Sequence, residues 1–571
     1  MVRDITAMIE RYKYNLSILA IATIGLLTQT ASWAQLPKYV RDDVGLCVYA
    51  REIPARTEQL LASELRQRIE STSIVTRWRR SNDYLKMQAI VEQVENHSGR
   101  SVQELMLSLL GTESLLAVYP STQEGNLRPS AVFLSIPVDS SATQATLDLW
   151  NSLDRAVVEP LGKNVFRRTA KGAQLYYHLS KGLFAFSDRE ELVTELAVST
   201  SSGFENSLLK SPAWSRAVES LGETNWMIGF AVPARWKAIW GDASQDPIPS
   251  MLLHLESLVV GFHGQHGLHY RANLIFPSGQ EPTLLRSYRE THAAPEGDWV
   301  KIDNNTLFTA FGRGGPDYLS AVLRGELERE KSAEAIAVYE VLRGLLLGRD
   351  PLNDVLPKLG SSWQFTLESA EQAGLFPWRV SGEIEFAPAD STAIGDDQPT
   401  LQASLSNLLR TSIQLASRLL PQGPGGDRSP FEEQLANGSI LHGFELGWGL
   451  EPTVGVGSKK LVMAGSREHA KFLLEGSIPD KSTGVSTEIS RKMQSSQGGA
   501  YLNLIQLRKG LVDHRNLLIR LQRMDESQQA KANSELDRLT DLLSLFDSAY
   551  AFLATSEGMM TLQWGAETPA N

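Results

Sequence analysis

Apolar positions recur along this chain with two periods. Leu60, Leu61, Leu65 and Ile69 follow helical spacing, and Tyr84, Ile90, Val91 and Val94 continue it in a further helix. Elsewhere the period is two. Val44, Leu46 and Val48 alternate with Gly45, Cys47 and Tyr49, and Leu268, Tyr270, Ala272, Leu274 and Phe276 alternate with His269, Arg271 and Asn273. Such alternation describes a strand with one packed and one wet face, hence antiparallel pairing. The pattern predicts strands over 44–50, 114–119, 130–136, 164–169, 173–179, 182–186, 225–231, 257–263 and 268–276. Helices are predicted from Pro54, over 101–111 and over 141–157. Strands and helices come in irregular blocks without a β-α-β rhythm, so the expected class is α+β: a mainly antiparallel sheet packed on one face by helices.

The pattern is written twice. "LCVYAREIPA" (46–55) is answered by "FTAFGRGGPD" (308–317), and the segment ending at Gly111 by the one ending at Gly360. "LFAFSDREELV" (183–193) is answered by "LVMAGSREHAK" (461–471), "NWMIGFAVPARW" (225–236) by "AYLNLIQLRKGL" (500–511), and the segment around Gly267 by the one around Gly558. Recurring landmarks in one order predict tandem related modules. Their expected bounds are 42–276 and 301–567, joined by a polar linker over 277–300.

Local punctuation explains several conspicuous polar residues. Ser101 with Glu104 reads as a capping box, and Gly111 as a helix stop. Ser187 with Glu190 reads as a second box at a strand-to-helix junction, and Ser466 as the cap of its counterpart, with Glu468 in the first turn. Ser, Asp and Glu in these two stretches then need no catalytic role.

Composition narrows the function classes. The 571 residues carry a formal net charge of −11, and the pI is about 5.6. An acidic surface repels phosphate backbones, so no nucleic-acid partner is expected. Arg3, Arg11 and Lys13 precede the apolar stretch 16–30, and Ser32-Trp33-Ala34 follows. This is the pattern of a secretory signal peptide over 1–34, cleaved after Ala34. The expected location is periplasmic or extracellular, with no membrane span in the mature chain. Cys47 is the only cysteine, which excludes internal disulfides.

Candidate chemistry is sparse. "HGQHGLH" holds His263, His266 and His269. A three-residue turn at 265–267 sets His263 opposite His269, an arrangement able to take Zn²⁺ or Cu²⁺; a two-residue turn places them on opposite faces. No G-x-S-x-G, H-E-x-x-H or Walker A motif is present. A serine, histidine and acid brought together only by the fold stays open. "GVGSKK" (455–460) reads as a hairpin turn. The helical stretch 515–550 carries Leu-rich stripes that pack on its own sheet or meet a partner.

The signal peptide, the single-cysteine mature chain and the pattern from "LLGTESLLAVYP" through "LFAFSDREELV" resemble exported proteins of planctomycete-type bacteria built around a domain of unknown function. The resemblance implies no activity and no site residue. The expected function is a non-enzymatic exported binding or structural protein, presenting sheet faces or a groove to a protein partner or an apolar ligand. The alternative is an extracytoplasmic hydrolase, metal-assisted through the histidine hairpin.

Overall fold

The structure is a computed structural model. It describes residues 35–120, 129–199, 203–222, 225–237, 254–264, 267–282, 285–286, 288–289, 299–314, 324, 333–360, 362–369, 378–386, 400–419, 429–446, 450–475, 485–516, 519 and 526–568. The chain divides into two compact units, residues 1–281 with 556–571, and residues 282–555. Both are mixed α+β, with antiparallel sheets packed by helices.

In the first unit the strands are β1 (Leu46–Arg51), β2 (Glu113–Tyr119), β3 (Ser130–Ile136), β4 (Val157–Gly162), β5 (Val165–Ala170), β6 (Ala173–Leu179), β7 (Phe184–Ser187), β8 (Met227–Ala231), β9 (Ser257–His263) and β10 (Gly267–Ile275). Those of the second are β11 (Thr306–Arg313), β12 (Ser362–Ser369), β13 (Trp378–Glu385), β14 (Pro430–Gln434), β15 (Ile440–Phe444), β16 (Thr453–Val456), β17 (Lys460–Ala464), β18 (Gly498–Asn503) and β19 (Ser548–Ser556). The last strand, β20 (Met559–Glu567), belongs with the first unit and pairs antiparallel with β10 along nine residues.

Hydrogen bonding orders the first sheet β20-β10-β9-β8-β1-β2-β3-β7-β6-β5-β4. The second runs β19-β18-β11-β12-β13-β17-β16-β15-β14. From β9 to β4 and from β19 to β14 the two orders coincide strand for strand. The segments around Gly267 and Gly558, matched as counterparts in sequence, are bonded neighbours. Tyr270 pairs with Trp564, Ala272 with Leu562 and Leu274 with Met560, so their apolar residues share a face.

Helices meet the sheets through α1 (Val102–Leu110), α2 (Glu190–Ser199) and α3 (Pro212–Leu221) in the first unit, and α4 (Leu401–Leu419) and α5 (Arg467–Glu475) in the second. The Ser101–Glu104 capping box forms with both bonds present, and Gly111 ends α1 at φ +65°. The predicted helix over 141–157 stops at Asp154. Arg155 takes a left-handed conformation, and Val157 opens β4, a strand that helical spacing concealed. In the first unit the segment 36–44 lies in the core. Leu36, Val40 and Val44 are fully buried and cluster with Tyr39, Leu115, Ala117, Tyr119, Val132 and Leu134. Trp214 of α3 meets Phe230 edge-on at 5.2 Å, closing the other end of that core.

Candidate functional site

The same strands lie over very different interiors in the two units. Gly111 and Gly360 both have positive φ, and each abuts the carbonyl of the residue ending the second strand after it, Ile136 of β3 or Glu385 of β13. Both pairs give one offset, 360 − 111 = 385 − 136 = 249. On this register Leu115, Ala117 and Tyr119 of β2 stand where β12 has Gln364, Thr366 and Glu368. Val132 and Leu134 of β3 stand where β13 has Ser381 and Glu383, and Ser130 where it has Arg379. The first unit fills the space with apolar side chains. The second leaves a cavity of about 340 Å³.

Three cross-strand pairs form its floor: Gln364 with Glu383, Thr366 with Ser381, and Glu368 with Arg379. Lys301, Ile302 and Asp303 make one wall. The start of α5 makes another, with Ser466, Glu468, His469, Phe472 and Leu473. Several of these groups are held in place. Asp303 accepts from Thr306 Oγ1 at 2.9 Å and from the Asn305 amide at 2.9 Å. Gln364 Nε2 donates to Thr366 Oγ1 at 3.0 Å, and the Lys301 amide donates to Gln364 Oε1 at 3.0 Å. Glu383 meets Lys460 at 2.8 Å and Lys301 at 3.7 Å.

Two groups are tuned by burial. Glu368 is pushed up to about 7; burial contributes most, the Asp303 charge adds, Arg379 opposes and Glu383 adds again. His469 is held below its ordinary value, first by burial and then by Arg379. Its Nε2 is buried without a hydrogen-bond partner among the described residues. The arrangement offers donors, acceptors and both signs of charge to a small polar molecule, beside the apolar surface of Ile302, Phe472 and Leu473.

The Glu368 shift has a stability consequence. Between the ordinary value of 4.5 and about 7, the native state holds a proton that the unfolded chain has lost. Stability therefore falls as pH rises through that window, by roughly 3 kcal/mol in all. Glu368→Gln should abolish this slope and raise stability at pH 8. Urea unfolding of both proteins at pH 5 and pH 8 checks it; equal slopes would refute it.

The residues singled out by sequence fall as follows. Ser466 caps α5, its Oγ accepting from the His469 amide at 3.3 Å, and it also lines the cavity. Ser187 does not pair with Glu190 in a box. It ends β7, is buried, donates to the Ala131 carbonyl at 2.6 Å and accepts from the Arg189 amide two residues on. By strand pairing its counterpart is Ala464, since Ser187 faces Val132 as Ala464 faces Ser381. In the matched register Ser466 therefore lies two residues beyond the position of Ser187, and the device is similar but not identical. Cys47 is fully buried, and desolvation pushes its thiol far above the usual range, as for an inert packing residue.

His263 pairs with His269 across the β9–β10 hairpin, their rings stacked 5.3 Å apart. His266 lies outside the described residues. Among the described residues no group of three or more His, Cys, Asp or Glu side chains is placed to hold a metal.

The fold also assembles a serine, a histidine and an acid that no motif announced. Ser406 of α4 lies 2.7 Å from His442 Nε2 on β15, and His442 Nδ1 lies 3.6 Å from Glu432 on β14. The order of contacts is that of an acid–base relay. Ser406 and His442 are only 8% and 1% exposed, however, and neither lines the cavity above. A nucleophile must reach its substrate; this one fastens α4 to the β14–β15 hairpin.

No helix among the described residues is long and apolar enough to cross a membrane. No family model matches the chain, and no curated protein matches it.

Proposed function

We propose that this chain is an exported, non-enzymatic binding protein. In this reading one folding unit was duplicated: the first copy became a packed scaffold, and the second binds a small polar ligand in the cavity over β12 and β13. The observation that carries the reading is the exchange of Leu115, Ala117, Tyr119, Val132 and Leu134 for Gln364, Thr366, Glu368, Ser381 and Glu383 at matching positions. Fully burying one Leu contributes about 1.5–3 kcal/mol, and half-buried polar groups contribute nothing comparable unless they are satisfied. A unit kept only as scaffold has no reason to forgo that stabilisation. A polar cavity with perturbed titratable groups is where a ligand is expected. The expected apolar ligand thereby becomes a polar one.

Duplication is supported by register as well as by strand order. Pairing gives offsets of 308 − 46 = 262 for β1 and β11, and 553 − 262 = 291 for β9 and β19. Both agree with the offsets of the sequence landmarks, 316 − 54 and 558 − 267. For β7 and β17 pairing gives 464 − 187 = 277, one less than the 278 of the sequence match.

A second reading, docking of another protein, has its own observation. The outer face of β12, β13 and β17 exposes Trp363, Phe365, Val380 and Met463 at 36–47%, while polar residues of β12 and β13 line the cavity. Exposed apolar patches of this kind mark interaction surfaces.

Unfolding the exported chain in the presence of monosaccharides, amino acids and small amines tests the first reading. A true ligand at a hundred times its Kd should stabilise the wild type by about 2.7 kcal/mol. It should not stabilise Thr366→Ala/Glu368→Tyr, which installs the first unit's side chains and closes the cavity. Equal stabilisation of both proteins, or none from any compound, would count against it.

A further inference from the structure

Gln35 is the residue that follows the predicted cleavage point. Its backbone N–H donates to Glu113 Oε2 at 3.1 Å. Glu113 opens β2 and is only 8% exposed. The residues that follow are fixed: Leu36 and Val40 are fully buried, and Phe204 and Leu208 donate to the carbonyls of Lys38 and Val40 at 2.9 and 2.7 Å. A chain end created at Gln35 thus stays beside the carboxylate.

We propose that signal-peptidase cleavage between Ala34 and Gln35 delivers the new α-amino group to the Glu113 carboxylate, which holds it as an ammonium ion pair. This rests on the export reading and extends it to a site. Hydrolysis adds water across the amide: the hydroxyl goes to the Ala34 carbonyl carbon and the hydrogen to the Gln35 nitrogen. At neutral pH that nitrogen takes a further proton. A single N–H···O bond becomes a charge-assisted one, roughly twice as strong. Two other groups face the carboxylate. Arg51 stands opposite it in the β1–β2 pairing, its Nε donating to the Asn225 carbonyl at 3.1 Å, and the Tyr49 hydroxyl is raised by burial and then by the Glu113 charge.

The pair protects the chain end chemically. An N-terminal glutamine cyclises when its free amine attacks its own side-chain carboxamide carbon, forming a lactam and expelling ammonia. An ammonium has no lone pair for that attack. Each unit by which Glu113 raises the α-amino pKa lowers the free amine, and hence the rate, about tenfold.

The test expresses the full chain with its leader in a bacterial host. Intact mass and N-terminal sequencing of the exported protein come first. Lactam formation is then followed at pH 7 by the loss of ammonia, in folded wild type, in urea-unfolded wild type and in Glu113→Gln and Glu113→Asp. The expected result is a free Gln35 end that cyclises about tenfold more slowly folded than unfolded. Glu113→Gln should lose most of that protection and Glu113→Asp retain part of it. Export with a different N-terminus overturns the proposal and leaves the export reading standing; retention of the leader overturns both. Isolation with the lactam already formed, or equal rates folded and unfolded, overturns the ion pair. Should Glu113→Gln not fold, the wild-type folded and unfolded rates decide alone.

Discussion

Removing the last fifteen residues is expected to cripple the first unit. β20 belongs to the first unit and pairs with β10 along nine residues. Trp564 stacks on Tyr270 at 5.4 Å, the Phe276 amide donates to the Gly558 carbonyl at 2.9 Å, and Met559 packs against the core of 36–44 and its neighbours. Without β20, β10 becomes a long, mostly apolar edge that invites pairing with other chains. A chain ending at Ser556 should therefore be poorly soluble, with the melting of the first unit lowered by more than 10 °C, since ~1 kcal/mol shifts a domain of this size by only about 2–4 °C. The rescue follows from the register. Ile275 pairs with Met559, so residues 35–279 joined directly to 556–568 form a hairpin at that point. This single-unit protein should be soluble and fold cooperatively, whereas 35–281 alone should not. Unchanged melting of the truncated chain in calorimetry would refute the assignment.

The second large effect concerns the two matched glycines. A Cβ at Gly360 would lie 1.4 Å from the Glu385 carbonyl oxygen, and one at Gly111 would lie 1.9 Å from that of Ile136. Both have positive φ, +48° and +65°. Left-handed backbone costs a non-glycine residue about 1–2 kcal/mol, and displacing a backbone oxygen in a packed strand adds a further 1–3 kcal/mol. Gly360→Ala and Gly111→Ala should each cost about 2–5 kcal/mol, in different units. Gly172→Ala separates the two causes. Its φ is +82° and no atom lies within 4 Å of the added Cβ, so it should cost only about 1–2 kcal/mol. Denaturant titration of the three variants compares them; equal losses at 172 and 360 would remove the steric argument.

These glycines also mark how much the sequence reveals. Gly111 and Gly360 are recognisable as counterparts because each ends a segment in the same way and only glycine fits there. The strands at 130–136, 173–179 and 257–263 have the expected bounds, because apolar residues recur at alternate positions in each. The cavity was legible only in part. Ser466 and Glu468 stand out in "LVMAGSREHAK", but as capping residues. Gln364, Thr366, Glu368, Arg379, Ser381 and Glu383 read as the polar face of two ordinary strands. Nothing local says that this polar face lies beneath α5 and the apolar one outside. Comparing the matched β2 and β3 segments, where the same positions are apolar, was the one available signal.

By itself, then, the sequence determined the class of fold, most strands of the first unit, the paired glycine stops and the polar or apolar character of each face. Those properties depend on neighbours a few residues away, through sterics and periodicity. Only the tertiary structure decided which face each helix covers, that the last strand completes the first sheet, and that Ser406, His442 and Glu432 meet out of reach of the cavity. Those outcomes depend on contacts between residues tens to hundreds of positions apart, about which a local pattern carries no information.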